Sequence, residues 1–233
     1  GGGNGDYHLL TYAPSSVQEA VDIMMFAYDK AEQYRIPVLF IADGIIAQMM
    51  EPVEMPEMVE FKIDPEKKPW ACTGWKPGDD PEKRGVINSI YIDTESLSEH
   101  NAVLQAMYAE VTKNEKMWEN YNCEGAEYII TAFGTVARIA KSAIDQLKAE
   151  GINVGLVRPI TVWPFPYEAV AEAANADGVK AVLDVELNEG QMIEDVKIAV
   201  NGAKPIDFFG HCGSQMPTTD EIVAKIKSMK EGK

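Results

Sequence analysis

Residues 128–166 read YIITAFGTVARIAKSAIDQLKAEGINVGLVRPITVWPFP, and this stretch decides the fold class. Residues 128–133 are almost wholly apolar, as a strand covered on both faces is, and Gly134 supplies a turn into a helix with Thr135 as its expected cap. Val136, Ile139, Ala140, Ala143, Ile144 and Leu147 then draw one apolar stripe along that helix, which Gly151 stops. Residues 154–157 form a second buried strand. The chain emerges at Arg158 into a loop stiffened by Pro159, Pro164 and Pro166. Arg158, Thr161 and Trp163 are therefore expected beyond the carboxyl end of a parallel strand, where open α/β sheets bind ligands or partners.

Downstream the alternation continues. A helix at 167–174, a strand at 179–185, a helix at 191–200 and a strand at 205–209 precede a last helix, whose start is marked by Thr218 and Glu221 as a capping box. Residues 126–233 thus predict a mainly parallel sheet with helices on both faces. Residues 1–50 read as the closing half of another α/β domain. Ser16 and Glu19 form a capping box; Val17, Ala20, Val21, Met24, Tyr28 and Ala31 make a helical apolar face; a strand at 38–43 ends at Asp43 and Gly44. One helix and one or two strands are too little for a sheet layer, so the start of this domain is expected outside this sequence or from another chain. Between the two lies a crossing segment and linker helix, residues 51–125. Pro52, Pro56, Pro65, Pro69, Pro77 and Pro81 interrupt it. Met58, Trp70, Trp75 and Tyr91 are too apolar for a disordered linker, so they are expected to lie against a surface, intrachain packing being favoured, before a helix at 97–118.

Composition bounds the function. With 233 residues and 46% hydrophobic content the chain can bury two modest cores. No window approaches the roughly 20 uninterrupted apolar residues of a membrane span, and GGGNGDYH lacks the pattern of a signal peptide, so a cytoplasmic protein is expected. A net charge of -16 opposes nucleic acid, whose binding rests on Lys and Arg at phosphates. Cys72, Cys123 and Cys212 lie far apart without a CxxC pair, so no iron-sulfur or zinc site can be built from this chain alone.

Four features bear on chemistry. The turn at Gly134 and Thr135 is a weak phosphate cradle, since no GxxxxGK[ST] or GxGxxG motif accompanies it. Arg158 suits a ligand carboxylate or a buried ion pair, and a pair with Glu186 is the favoured reading. The loop GHCGSQ at 210–215 sets His211 beside Cys212, but adjacent loop residues point apart, which argues against a nucleophile and base pair. Asp184, Glu186, Glu189, Glu194 and Asp195 crowd one strand end and helix start, as the helix dipole alone would favour.

Four segments carry a family resemblance: GGGNGDYHLLTYAPSSVQEAVD, RIPVLFIADG, residues 127–166 and ELNEGQM. Together they resemble the alpha subunit of the 2-oxoacid:ferredoxin oxidoreductases, close to the 2-oxoisovalerate and 2-oxoglutarate members. The resemblance spans nearly the whole chain, and GDYHLLTYAPSSVQE and VRPITVWPFP are its most specific pieces. It implies an α/β fold: the C-terminal half of a thiamine pyrimidine-binding-like domain, then a transketolase C-terminal-like domain. It implies oxidative decarboxylation of a 2-oxoacid to an acyl-coenzyme A, with electrons passing to ferredoxin. Thiamine diphosphate and Mg are expected on a beta subunit, iron-sulfur clusters on other subunits, coenzyme A as co-substrate, and gamma and ferredoxin-like delta subunits as partners.

The resemblance also places the residues. Gly5, Asp6, Tyr7 and His8 match the glycine-rich segment near the substrate side of the pyrimidine domain, where they either shape the 2-oxoacid pocket or only turn the backbone. Asp43, Arg158, Trp163 and His211 are expected at domain or subunit interfaces, with Arg158 and the VWPFP loop buried there. No catalytic or metal-ligating residue carries over, and the chain by itself is expected to be inactive. Its acidity argues against ferredoxin docking on it. The competing class is a non-catalytic α/β binding or subunit-assembly module.

Overall fold

The computed structural model describes residues 5–57, 68–72, 74–213 and 215–232, so the expected packing of Met58 lies outside the described residues. The chain divides into two compact units, residues 1–54 with 107–233, and residues 55–106.

The larger unit carries two sheets. In the first, β1 (Leu10–Tyr12) pairs in parallel with β2 (Val38–Phe40), with α1 (Val17–Tyr34) between them in the chain and a short α2 (Gly44–Gln48) after them. The second has five strands: β3 (Trp118–Tyr121), β4 (Tyr128–Thr131), β5 (Val154–Pro159), β7 (Ala181–Glu186) and β8 (Ile206–Gly210), in the order β3-β5-β4-β7-β8. All neighbours are parallel except β3, which lies antiparallel on β5. Helices α4 (Gly134–Ala149) and α7 (Thr219–Glu231) cover one face, packing Ala140, Ile144, Leu147, Ile222 and Ile226 against Ile130, Leu156 and Leu183. On the other face, α5 (Tyr167–Asn175) and α6 (Met192–Val200) bury Val170, Ala173, Val196 and Val200 against Ile129, Val157 and Val182. Strands sandwiched this way read as continuous apolar runs, which is why residues 128–133 were legible.

Three details depart from expectation. The helix expected at 97–118 is α3 (Thr94–Asn114), and Trp118–Tyr121 instead extends as the edge strand β3, its burial alternating from residue to residue. Alternation is the mark of a half-covered strand, and it outweighs helix continuation here. On α1 the buried residues are Ile23, Ala27 and Tyr34, whereas Met24 and Tyr28 are exposed. The helix carries two apolar stripes, and periodicity alone does not say which faces the core. The Ser16 cap is half a capping box: Ser16 Oγ accepts from Glu19 N at 3.1 Å, but the Glu19 carboxylate turns to Ser15 N at 2.6 Å.

Among its described residues the smaller unit contains the start of α3 and a 3-10 turn at Pro81–Lys83, capped by Asp80. Within it the Arg84 guanidinium lies 5.5 Å from the Trp75 ring centre and Tyr91 stacks on His100 at 4.3 Å.

Candidate functional site

The two sheets of the larger unit are joined by a strand that the proline-rich loop supplies. After β5 the chain forms β6 (Thr161–Trp163), which leaves the five-stranded sheet and pairs antiparallel with β1 at Thr11 and Tyr12. Trp163 is thereby carried to the first sheet, while Pro164, Phe165 and Pro166 are buried behind it.

Charges close the same joint. The Arg158 side chain is 5% exposed, and its fork donates to both carboxylate oxygens of Glu19 on α1 at 2.8 Å each. Its Nε donates to Glu119 on β3 at 2.7 Å, and Lys141 binds the other oxygen of Glu119 at 2.5 Å. Burial works against the charge on Glu19, but the hydrogen bonds from Arg158 and Ser15 outweigh it and hold the carboxyl below its ordinary range. The expected pairing with Glu186 is not formed. Glu186 ends β7, two strands from β5 in the observed order, whereas β3 lies directly against Arg158. A second link runs from Arg138 Nη2 to Glu51 at 2.7 Å, and Glu51 also accepts from Val17 N at 2.9 Å.

Asp43 ends the first sheet and caps two helices at once. Its Oδ1 accepts from Ile45 N and Ile46 N of α2, both at 3.1 Å, and from Thr135 Oγ1 at 2.8 Å; Oδ2 accepts from Thr135 N at 3.0 Å. Burial opposes its ionisation, yet these donors hold its carboxyl below the ordinary range. The weak phosphate cradle at Gly134 and Thr135 is thus filled by the chain's own carboxylate. Thr135 sits inside α4, whose cap position is Phe133 without a side-chain bond.

The chain order places β5 and β7 on opposite sides of β4, so the crevice at the carboxyl ends of β4 and β7 is the topological switch point, where such sheets bind ligands. A cavity of about 220 Å3 lies there, lined by Ile41, Asp43, Phe133, Val185, Glu186 and Asn188 among others. Glu186 Oε1 accepts from Gln191 N and Ile193 N, and Oε2 from Met192 N, so this carboxylate caps α6. Beside it Asp184 is fully buried, accepting from Thr131 Oγ1 at 2.6 Å through Oδ1. Its Oδ2 finds no donor among the described residues. Burial, and then the hydrogen bond to Glu186, push the Asp184 carboxyl up to about 9, so it keeps its proton and donates it to Glu186. Glu186 moves the other way: burial is outweighed by bonds from Asp184, Met192 N, Asn188 and Ile193 N, and its carboxyl is lowered.

The glycine-rich segment makes the other cluster. Gly5 and Asp6 lie at positive φ, 130° and 56°, turning the chain so that His8 is half-buried ahead of β1. The imidazole stacks flat on Trp163, centroids 4.6 Å apart and planes at 1°. Tyr108 of α3 stands edge-on to both rings, 5.3 Å from His8 and 5.9 Å from Trp163. Burial lowers the pKa of His8. Two residues chosen for different reasons in the sequence, His8 and Trp163, are in contact. Tyr108 was missed, because nothing in a single helical tyrosine marks it. His211 lies apart from this group. Its ring packs on Phe209 at 5.1 Å, and Nε2 is 3.5 Å from Glu221 Oε1. Cys212 is exposed beside Glu189, whose hydrogen bond and charge raise the thiol pKa, so it is no activated nucleophile.

Residues 4–120 match the family described as pyruvate flavodoxin/ferredoxin oxidoreductase, thiamine diphosphate-binding, and residues 126–222 match pyruvate:ferredoxin oxidoreductase core domain II. The chain belongs to the pyruvate flavodoxin/ferredoxin oxidoreductase family. This is the group that the sequence resemblance pointed to. The chain is 39% identical to the ketoisovalerate oxidoreductase subunit VorB of Methanothermobacter marburgensis, over 98% of this chain and 62% of that protein. It is 28% identical to the 2-oxoglutarate synthase subunit KorA of the same organism, over 98% of this chain and 66% of KorA. The chain thus spans about three fifths of the length of VorB. The structure of a 2-oxoglutarate:ferredoxin oxidoreductase from Magnetococcus marinus, with 2-oxoglutarate, coenzyme A and succinyl-CoA bound, superposes with a TM-score of 0.70 at 20% identity. That likeness covers 97% of this chain and 43% of the other, and it speaks to the fold alone.

As a pyruvate:ferredoxin oxidoreductase family member the chain can be tested for fit to a diphosphate and its metal. Among the described residues no group of three or more His, Cys, Asp or Glu is placed to hold a metal ion. The N-termini of α2, α4 and α6, the natural seats for phosphate, are capped by Asp43 and Glu186. The described residues therefore do not fit a metal-bound diphosphate. No helix among them is long and apolar enough to cross a membrane.

Proposed function

We propose that this chain is an alpha-type subunit of a thiamine diphosphate-dependent 2-oxoacid:ferredoxin oxidoreductase, which converts a 2-oxoacid to an acyl-coenzyme A and passes electrons to ferredoxin. The observation that carries this reading is the match of residues 4–120 to the thiamine diphosphate-binding family. In this reading residues 1–50 belong to a pyrimidine-binding-like domain, residues 51–125 are the crossing segment and linker helix, and residues 126–233 are the transketolase C-terminal-like domain. The lack of fit for a metal-bound diphosphate agrees with a site shared between subunits, in which a beta subunit holds the diphosphate and Mg. Iron-sulfur clusters then belong to other subunits, gamma and ferredoxin-like delta subunits are further partners, and coenzyme A is the co-substrate.

Gly5, Asp6, Tyr7 and His8 border the 2-oxoacid pocket in this assignment. Arg158, Asp43 and Trp163 hold the two sheets in register behind it, and His211 faces an interface. Co-expression of the full-length subunit with its neighbouring-gene partners, assayed for 2-oxoacid-dependent dye reduction with coenzyme A, tests the reading. The expected result is reduction with at least one branched, aromatic or dicarboxylic 2-oxoacid; failure with all of them overturns it.

A further inference from the structure

We propose that His8 is a substrate-facing hydrogen-bond donor, its Nε2–H held outward by the stack on Trp163 and offered to an oxygen of the anionic 2-oxoacid. This rests on the reading that residues 5–8 border the pocket, and it adds a tautomer, an atom and a positioning residue to that reading. The argument begins at the other ring nitrogen. Nδ1 of His8 is buried and has no hydrogen-bond partner among the described residues. A buried N–H without an acceptor costs about 1–3 kcal/mol, and orphaned N–H groups are rarer in folded proteins than unsatisfied acceptors. Nδ1 is therefore the bare nitrogen, and a neutral imidazole must then carry its proton on Nε2. An imidazolium would need both nitrogens protonated, which the same burial disfavours.

Geometry fixes where that proton points. Trp163 covers a face of the ring with planes at 1°, and Tyr108 stands perpendicular at 5.3 Å, so the imidazole cannot swing without breaking both contacts. His8 is half-buried as a residue while Nδ1 is closed off, so the exposure it keeps belongs to the opposite edge, which carries Nε2. Gly5, Asp6 and Tyr7 immediately before it are exposed. A neutral donor suits an oxyanion, because it binds oxygen without first taking up a proton. Trp163 acts through His8 and is a positioning residue.

Two measurements test this. The full-length subunit labelled with 15N at histidine, with the His8 signal assigned by its loss in His8→Gln, is expected to show the Nε2–H tautomer at pH 7. An Nδ1–H tautomer or an imidazolium there overturns the proposal. In the assembled complex, His8→Phe keeps an aromatic stack and removes the donor, so KM for the 2-oxoacid should rise about tenfold to a hundredfold with kcat changed far less. His8→Gln keeps an N–H and should recover most of that loss, and Trp163→Leu should raise KM while His8 loses its single tautomer. A parental KM in His8→Phe overturns the proposal. Absence of turnover in the parent complex removes the functional reading and the substrate assigned to His8, whereas the nitrogen signal decides the tautomer separately.

Discussion

Asp184→Asn should flatten the pH dependence of stability, and the sign follows from where the proton sits. In the folded chain the Asp184 carboxyl keeps its proton up to about 9, against an ordinary value of 3.8. Between pH 7 and pH 8 the folded state thus holds one proton that the unfolded chain has lost, and stability must fall as pH rises, by about 1.4 kcal/mol per pH unit. Other groups are quiet in this window. His8 is lowered from 6.5 and acts below that value, Cys123 is raised from 9.0 and acts above it, and Glu186 is ionised in both states. Asparagine has nearly the same shape. Its carbonyl can accept from Thr131 and its amide can donate to Glu186, so the local bonds survive without a titrating group. The cost of keeping a neutral acid at pH 7 is at most about 4 kcal/mol, from roughly three pH units at 1.4 each, less the cost of one unpaired amide N–H of about 1–2. The variant should therefore unfold at higher urea at pH 7, and more so at pH 8. Urea midpoints read by tryptophan fluorescence across that window provide the check. Parallel pH profiles for parent and variant would refute the shared-proton account of Asp184 and Glu186.

Other perturbations probe the joint between the sheets. Arg158→Met leaves Glu19 half-buried without its cation, and breaking a buried pair from one side costs about 3–5 kcal/mol; with Glu19 partly exposed, the low end is expected in urea unfolding. A change under about 0.5 kcal/mol would mean that the pair carries no stability. Asp43→Ala uncaps α2 and α4 together and should cost about 1–3 kcal/mol, more than Thr218→Ala at the simple cap of α7, as paired melting curves would show. Gly155→Ala sets a methyl 2.7 Å from the Cys123 backbone and should destabilise by about 1–3 kcal/mol; the double variant with Cys123→Ala should not recover it, since the clash is with main chain.

The legibility of this chain tracked how local each signal was. Residues 128–166 announced two buried strands and a helix, because a strand covered on both faces must be apolar along its length and an amphipathic helix must repeat. The cap of α4 was misread for the opposite reason: the atom that caps it belongs to Asp43, 92 positions earlier, and no local pattern encodes that distance. Arg158 was recognised as a paired residue, but its partner was assigned to β7 because strand order was unknown; once β3 occupied the edge, Glu119 and Glu19 were nearer. His8 and Trp163 were each singled out, and only the crossing of β6 onto β1 made them neighbours.

The carboxylates support placing the proposed site at His8 and not at the switch point. In sheets of this kind helix N-termini at the strand ends attract anions, and a 2-oxoacid or a coenzyme A phosphate would be drawn to them. Here Asp43 has taken the amides of α2 and α4, and Glu186 those of α6, while neither side chain is matched by a Lys or Arg among its hydrogen-bond partners. Two negative charges therefore line the crevice, and any further anion entering it meets repulsion at short range with its best donors already engaged. The Asp43 bonds to Thr135 also tie the end of the first sheet to α4 on the second, so displacing Asp43 with an anion would loosen that joint. A chain built this way has given its phosphate seats to its own architecture. In the proposed reading an anionic substrate is met by donors outside the crevice, and the exposed turn before His8 is where that proposal places one.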